Sequence, residues 1–198
     1  MTAALPAEAA GKPVEIGWQD AAGVGQQGRL TRLWDAPLGR ARIPPAAPKD
    51  CRYAWACLFG AVCPARGVGA GLVLPAANAA MINLHLAGDR RSTRGQISSP
   101  VSAGAQAVVI MDGAGWQQTG GELRLPANIT PLPLPPDAPE LNPVENVWAL
   151  LRSNTLANRI YDTYDAILDA CADAWNGLTS QPEQITAIAS RPWAQVKQ

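Results

Sequence analysis

Three acidic residues stand out because the sequence around each predicts the end of a regular element. Asp20 follows the β-prone run 14–18, and Asp112 closes the apolar run 105–111. Glu145 lies near the start of a helix that Asn142-Pro143 opens. Phosphodiester chemistry uses two divalent cations about 4 Å apart, held by hard carboxylate oxygens, to bridge the attacking and leaving oxygens. Asp20, Asp112 and Glu145 are therefore candidate ligands for metal-assisted phosphoryl transfer.

Each of these residues also has a structural interpretation that its local sequence supports. Asp20 precedes Ala-Ala-Gly, and Asp112 is followed by glycine, which are both patterns typical of turns. Asn142 with Glu145 three residues later forms a capping box, and Pro143 suits the first helical position. Capping and metal binding by Glu145 are compatible, so the local pattern leaves both roles open.

Predicted strands precede and surround the candidate acidic residues. The run 14–18 is expected to end at Asp20 and to form a hairpin with the strand-like run that follows Gly25 and Gly28. The segments RYAWACLFGAV and GVGAGLVLP predict a second antiparallel pair, and the apolar run before Asp112 predicts a strand buried on both faces. Two prolines in the run 128–134 indicate an edge strand or an extended connection.

The predicted helices cover 76–86, a segment that begins at Asn142, and a final segment 163–178. Apolar residues recur at helical spacing in the last two, which gives each a buried stripe. The members of these stripes are Val144, Val147, Trp148 and Leu151, and then Ile167, Cys171, Ala174, Trp175 and Leu178. Trp116, Trp148 and Trp175 are interpreted as core residues rather than as platforms for bases, and Asp165, Asp169 and Asp173 as a solvated face.

Length and composition indicate one globular domain. The chain has 198 residues, of which 47% are hydrophobic and 16% charged. No apolar run reaches the roughly 18 residues of a membrane span, and no signal sequence is evident, so we expect a cytoplasmic protein. Four cysteines without a CxxC pair and one histidine, His85, do not have the spacing of a zinc site and are interpreted as packing residues.

Charge is unevenly distributed although the net charge is zero. Residues 1–100 hold 11 Lys and Arg against 6 Asp and Glu, whereas residues 101–198 hold 5 against 10. One basic segment is a candidate phosphate-facing patch, or else ordinary solubilising charge. Its members are Arg29, Arg32, Arg40, Arg42, Lys49, Arg52 and Arg66. Arg152 lies two turns after Glu145 on the same predicted helix side and is a further candidate contact to a DNA phosphate.

Two motifs give the chain a specific resemblance. MDGAGW at 111–116 and LPPDAPELNPVENVWALLRSN at 134–154 resemble the mariner-like superfamily of DDE transposases, and within it the bacterial insertion-sequence branch of the insertion sequence 630 type. Similarity extends over nearly everything from about residue 14 to 193. The resemblance implies a ribonuclease H-like α/β fold, a mixed sheet flanked by helices. It also implies that Asp20, Asp112 and Glu145 bind Mg²⁺ or Mn²⁺, with 32 residues (145 − 112 − 1) between the last two.

The resemblance further implies the activity and the partners. The expected function is metal-dependent cleavage and strand transfer on double-stranded DNA, with transposon ends and target DNA as substrates. A homodimer is a further expectation. Residues 14–198 are expected to form the catalytic domain, and 1–13 a disordered leader. Since the stretch before Asp20 is too short for the amino-terminal helix-turn-helix region of relatives, a separate polypeptide is expected to supply DNA recognition. The alternatives are a catalytically decayed DNA-binding or interaction module, and a nuclease that cuts without joining strands.

Overall fold

The structure is a computed structural model that describes residues 10–26, 33–35, 40–42, 54–87, 97, 99–113, 123–135 and 138–192. For residues 33–35, 40–42 and 139 the description covers the backbone. Of the predicted leader 1–13, residues 1–9 therefore lie outside the described part. Pro13 belongs to it, and its carbonyl accepts a hydrogen bond from the backbone N–H of Gln106 at 2.8 Å.

A five-stranded mixed sheet forms the centre of the fold. Its strands are β1 (Val14–Gly25), β4 (Trp55–Cys63), β5 (Val68–Leu74), β6 (Gln106–Met111) and β7 (Ile129–Pro133), in the order β5-β4-β1-β6-β7. The central strand β1 is antiparallel to β4 and parallel to β6, while β7 is parallel to β6 at the edge. A separate two-stranded sheet pairs β2 (Leu33–Asp35) with β3 (Arg40–Arg42).

Four α-helices flank this sheet, on both of its faces. They are α1 (Ala79–Leu86), α2 (Val144–Asn154), α3 (Tyr164–Thr179) and α4 (Pro182–Ala189), with a 3-10 turn at Pro139–Leu141 before α2. None of the helices in the described part is long and apolar enough to cross a bilayer. The predicted layout, a mixed sheet flanked by helices, is confirmed.

Side-chain alternation along the strands divides the core into two layers. Trp18, Leu58 and Val62 point to one face, where they pack with the apolar stripes of α2, α3 and α4. Phe59 and Val109 point to the other face, where they pack with residues of α1 and neighbouring segments. All nine residues predicted for the two helical stripes are buried, and the three predicted solvent-facing aspartates of α3 are exposed.

Two predictions about strands were wrong. The first strand does not end at Asp20 but continues to Gly25, because residues 18–25 pair along their whole length with β4. The run after Gly28 does not form a hairpin with β1, since β2 pairs with β3 in the smaller sheet. The β4–β5 pair, the buried β6 and the edge position of β7 were predicted and are confirmed.

The helix predictions were nearly complete. The first helix begins at Ala79 rather than 76, where the side chain of Asn78 accepts a hydrogen bond from the backbone N–H of Met81. Thr163 caps α3 in the same way, through the backbone N–H of Ala166. The short helix α4 was not predicted, although Pro182 and Glu183 in its first turn are typical of a helix start.

Candidate metal centre

Asp20 lies in the middle of the central strand with its side chain buried among the helices. It pairs with Gly60 on β4 and is 8% exposed. Its Oδ1 accepts a hydrogen bond from the backbone N–H of Ala21, and its Oδ2 accepts one from the indole Nε1 of Trp148, each at 2.8 Å. Because Asp20 lies within a paired strand, the interpretation as a turn aspartate is wrong.

Asp112 directly follows β6 and lies beside Asp20 by strand register. The parallel pairs of β1 and β6 run from Val14↔Gln106 to Trp18↔Ile110, a constant offset of 92 residues (106 − 14). The same offset sets Asp112 next to Asp20. Because side chains alternate between the two faces of a sheet along each strand, the two carboxylates point to the same face of the sheet. One carboxylate oxygen of Asp112, Oδ1, is buried and has no hydrogen-bond partner in the described part of the chain.

Glu145 lies in the first turn of α2, which two hydrogen bonds hold against β1. Asn142 Nδ2 donates to the backbone carbonyl of Gln19 at 3.0 Å, and Trp148 donates to Asp20. Glu145 is three residues after Asn142 and three before Trp148. It therefore lies between the two residues that bind the start of α2 to β1. Its side chain is exposed.

The predicted capping box at this helix start is not formed, because Pro143 rather than Asn142 is the N-cap of α2 and no side-chain cap hydrogen bond is made there. Asn142 Oδ1 accepts a hydrogen bond from the backbone N–H of Val144 at 3.1 Å, which satisfies one free donor of the helix terminus. The reciprocal bond is not made, because the Glu145 carboxylate has no hydrogen bond to any described residue. The Glu145 carboxylate is therefore not used by capping.

Electrostatic interactions connect the three carboxylates. Burial raises the pKa of Asp20 from its ordinary value of 3.8 to about 6, against the lowering effect of its hydrogen bonds from Trp148 and Ala21. The negative charges of Glu145 and Asp112 raise the pKa of Asp20 further. Both acidic residues are thus close enough to act on the buried carboxylate, although neither is near it in sequence.

A tryptophan pair packs directly beneath this cluster. The rings of Trp148 and Trp175 lie 5.9 Å apart at an interplanar angle of 42°. They fit over β4 because Gly60 has no side chain, and a Cβ at that position would lie 2.6 Å from both rings. Their predicted role in the core is confirmed, while Trp116 lies outside the described residues. The hydrogen bond from Trp148 to Asp20 was not predicted from the sequence. The indole N–H of Trp148, one helical turn after Glu145, was the available signal, because a buried indole N–H usually finds an acceptor.

The predicted DNA-contacting residues are only partly described. Arg29, Arg32, Lys49 and Arg52 lie outside the described residues, and Arg40 and Arg42 belong to β3, of which the backbone is described. Arg152 is half-buried in the last turn of α2. Arg66 pairs with Glu15 at 2.9 Å and also donates to the carbonyl of Pro100, so its charge is already neutralised within the fold.

Other residues with ligand chemistry serve packing. His85 is fully buried on α1, with its ring 5.8 Å from that of Phe59. Cys57 and Cys171 are buried free thiols and Cys63 is a half-buried one, while Cys51 lies outside the described part. Within the described ranges, no three His, Cys, Asp or Glu side chains form a group ready to hold a metal ion. Asp112 and Glu145 each act electrostatically on Asp20, but within the described ranges the three carboxylates do not form a ready metal-binding group.

Comparison with solved structures identifies the fold. The chain is similar to the Mos1 mariner paired-end complex with Mn, with a TM-score of 0.56 and 15% identity over 89% of this chain and 56% of that one. It is also similar to the Mos1 transposase paired-end complex with the left transposon end, with a TM-score of 0.54 and 18% identity over 87% and 55% of the two chains. The chain thus spans about half the length of these proteins and shares their ribonuclease H-like fold.

Sequence comparison identifies the family. The chain is 50% identical over 140 residues to the uncharacterized protein y4pE/y4sA of Sinorhizobium fredii (strain NBRC 101917 / NGR234), covering 71% of this chain and 97% of that protein. The sequence profile described as DDE superfamily endonuclease matches residues 15–168, a span that contains Asp20, Asp112 and Glu145. The chain belongs to the DDE superfamily endonuclease family.

Proposed function

We propose that this chain is the catalytic core of a DDE transposase of the insertion-sequence branch, which cleaves and joins DNA strands with Asp20, Asp112 and Glu145 as its metal ligands. The observation that carries the proposal is geometric: β6 leads into Asp112 in register with Asp20, and the Trp148 indole ties the start of α2, where Glu145 lies, to the Asp20 carboxylate. Three carboxylates that repel one another are stabilised when a cation binds between them.

The residues present fit Mg²⁺ or Mn²⁺. Hard divalent cations bind carboxylate oxygens, and Asp112 Oδ1 is a buried oxygen with no hydrogen-bond partner among the described residues. Each Asp20 oxygen accepts one hydrogen bond and keeps a second lone pair. Glu145 is exposed at a helix start and is free of side-chain hydrogen bonds in the described part, so its carboxylate can turn toward the other two.

The chain's own residues would provide positioning and charge. When bound, the cations supply activation of the attacking oxygen and stabilisation of the leaving oxygen in an in-line displacement. Asp20 presents a carboxylate whose orientation the fold fixes, and Asp112 presents another from the next strand. Glu145, on a helix tied to β1 at two points, adds the third. Such preorganised charge accelerates phosphoryl transfer without a nucleophilic side chain.

The proposed substrate is double-stranded DNA, as element ends and as target, in a cytoplasmic setting. The Mos1 proteins are described as a paired-end complex and a strand transfer complex. By analogy we propose that two copies of this chain pair on DNA. Arg29, Arg32, Arg40, Arg42, Arg52 and Arg152 remain the proposed DNA contacts.

Nicking of supercoiled plasmid in Mn²⁺ tests the cleavage step. We expect Asp112→Asn to lose activity by at least about 100-fold, the usual cost of removing one charge-stabilising group from a catalytic site. Asp165→Asn is the matched control, because Asp165 is an exposed aspartate on α3. Full activity of the Asp112 variant would contradict the proposal.

A strand-transfer assay separates transposase from a nuclease that only cuts. An oligonucleotide with the 3′ hydroxyl of the element end should be joined to plasmid DNA by the wild-type chain. Nicking without joining would favour the simple nuclease. A decayed DNA-binding module is the second candidate, because the carboxylates do not form a ready cage. DNA binding with neither nicking nor joining would support it.

A further inference from the structure

We propose that Trp148 is a positioning residue of the candidate metal centre: its indole N–H holds the Asp20 carboxylate in the orientation that receives a divalent cation. This inference rests on the proposed function and adds to it a residue outside the three acidic ligands.

The hydrogen bonds of Asp20 fix its carboxylate in two ways. Oδ1 is held locally, by the backbone N–H of the next residue, Ala21. Oδ2 is held by Trp148, a residue 128 positions away on a different element. Two bonds to two oxygens of one carboxylate fix both the rotamer and the plane of the group. The lone pairs that remain, one on each oxygen, then have defined directions.

The donor is itself closely packed. Trp148 is 3% exposed and packs in the helical layer of the core. Its ring lies against Trp175 and over Gly60, the residue that pairs with Asp20 across β1 and β4. The indole therefore has little freedom to follow a moving carboxylate, and the carboxylate must adopt the orientation that the indole sets.

The neighbouring tryptophan shows that packing alone does not require such a bond. Trp175 is also buried in contact with Trp148, but its indole Nε1 has no hydrogen-bond partner among the described residues. The fold thus tolerates one buried indole N–H without an acceptor, while the other donates at 2.8 Å to a carboxylate. Hydrogen bonds to a charged acceptor are shorter and stronger than neutral ones.

The two tryptophans offer a matched pair of variants. Trp148→Phe removes the N–H that bonds Asp20, and Trp175→Phe removes an N–H that bonds no described residue, with the same loss of ring size. Groups that orient metal ligands typically contribute 10–100-fold to metal affinity. By calorimetric titration with Mn²⁺, we expect Trp148→Phe to bind about 10–100-fold more weakly than wild type. We expect Trp175→Phe to bind as tightly as wild type, even if thermal unfolding shows that both variants lose stability.

Three outcomes would overturn the inference. Equal Mn²⁺ affinity of wild type and Trp148→Phe would contradict it while leaving the proposed function intact. Equally weakened binding in both variants would show a packing role only. If wild type binds no Mn²⁺, the proposed function fails and this inference fails with it.

A measurement on the wild-type chain keeps the test independent of whether Trp148→Phe folds. In ¹H–¹⁵N spectra, the indole N–H signal of Trp148 should shift as Mg²⁺ is added, because a cation on Asp20 weakens the bond that the indole donates. The Trp175 signal should stay in place. An unmoved Trp148 signal at Mg²⁺ concentrations that saturate binding would contradict the inference.

Discussion

A buried aspartate with two acidic neighbours is unstable as an anion unless something compensates it. Asp20 is compensated by two hydrogen bonds, yet the pKa of Asp20 still lies at about 6, because burial outweighs those bonds. Without a cation, the folded chain therefore holds a proton at Asp20 more tightly than the unfolded chain does. The site costs stability at neutral pH, as functional sites often do.

The destabilising effect of the ionised Asp20 predicts that the difference in stability between wild type and Asp20→Asn, measured in EDTA, depends on pH. The pKa of Asp20 is about 6 in the folded chain, above its ordinary value of 3.8. The stabilising contribution of the proton on Asp20 is therefore fully present below the ordinary value and is lost as pH rises through 6. Asparagine does not ionise, so the variant should not show this loss. Between pH 4 and 7 we expect the free energy of unfolding of wild type to fall by about 2 kcal/mol relative to the variant.

Urea denaturation at the two pH values measures this difference. Asp165→Asn, at an exposed position, should track the wild type at both. The free energies of unfolding of wild type and Asp20→Asn should differ by different amounts at pH 4 and pH 7. The same difference at both pH values would show that Asp20 is not a buried, destabilised carboxylate.

At the scale of elements, the position of α2 over β1 depends on a glycine in β4. Gly60 and Gly71 are paired across β4 and β5, and the rings of Trp148 and Trp175 occupy the space above them. Trp148, which bonds Asp20, can approach the sheet only because Gly60 lacks a side chain, and Gly71 makes the corresponding space for Trp175. Glycine in a strand interior is otherwise unfavourable, and here it permits close packing.

Gly60→Ala tests this arrangement. The added methyl group would lie 2.6 Å from both tryptophan rings, so we expect a loss of about 1–3 kcal/mol in the free energy of unfolding. Gly177→Ala is the control, because a Cβ there meets nothing within 4 Å and alanine favours the helix by up to about 1 kcal/mol. A Gly60→Ala protein as stable as wild type, by thermal unfolding, would show that the rings move aside easily.

Local sequence patterns predicted the elements that follow a clear period. The β4–β5 pair, the buried β6 and the stripes of α2 and α3 were all identified from spacing alone. The second half of β1 was missed because Ala21, Ala22 and Gly23 have little β propensity, and pairing with β4 overrides it. The tie between Trp148 and Asp20 joins positions 128 residues apart, which no local pattern encodes.

At the scale of the whole molecule, the sheet separates two different environments. One face, covered by α2, α3 and α4, carries Asp20 and the larger apolar core, and the other packs against α1. The outer surface of α3 is acidic, with Asp165, Asp169 and Asp173 exposed. We therefore expect the proposed DNA substrate to approach along other parts of the surface, since like charge repels phosphate.

We propose that the fold brings three acidic side chains, at positions 20, 112 and 145, to one cation-binding site. Calorimetric titration of the purified chain with Mn²⁺ tests this most directly, on wild type and on Asp20→Asn, Asp112→Asn, Glu145→Gln and the exposed control Asp165→Asn. Binding should weaken in each of the first three variants and be unchanged in the control. Wild-type affinity in any one of the three would contradict a shared site, because that residue would then not be a ligand.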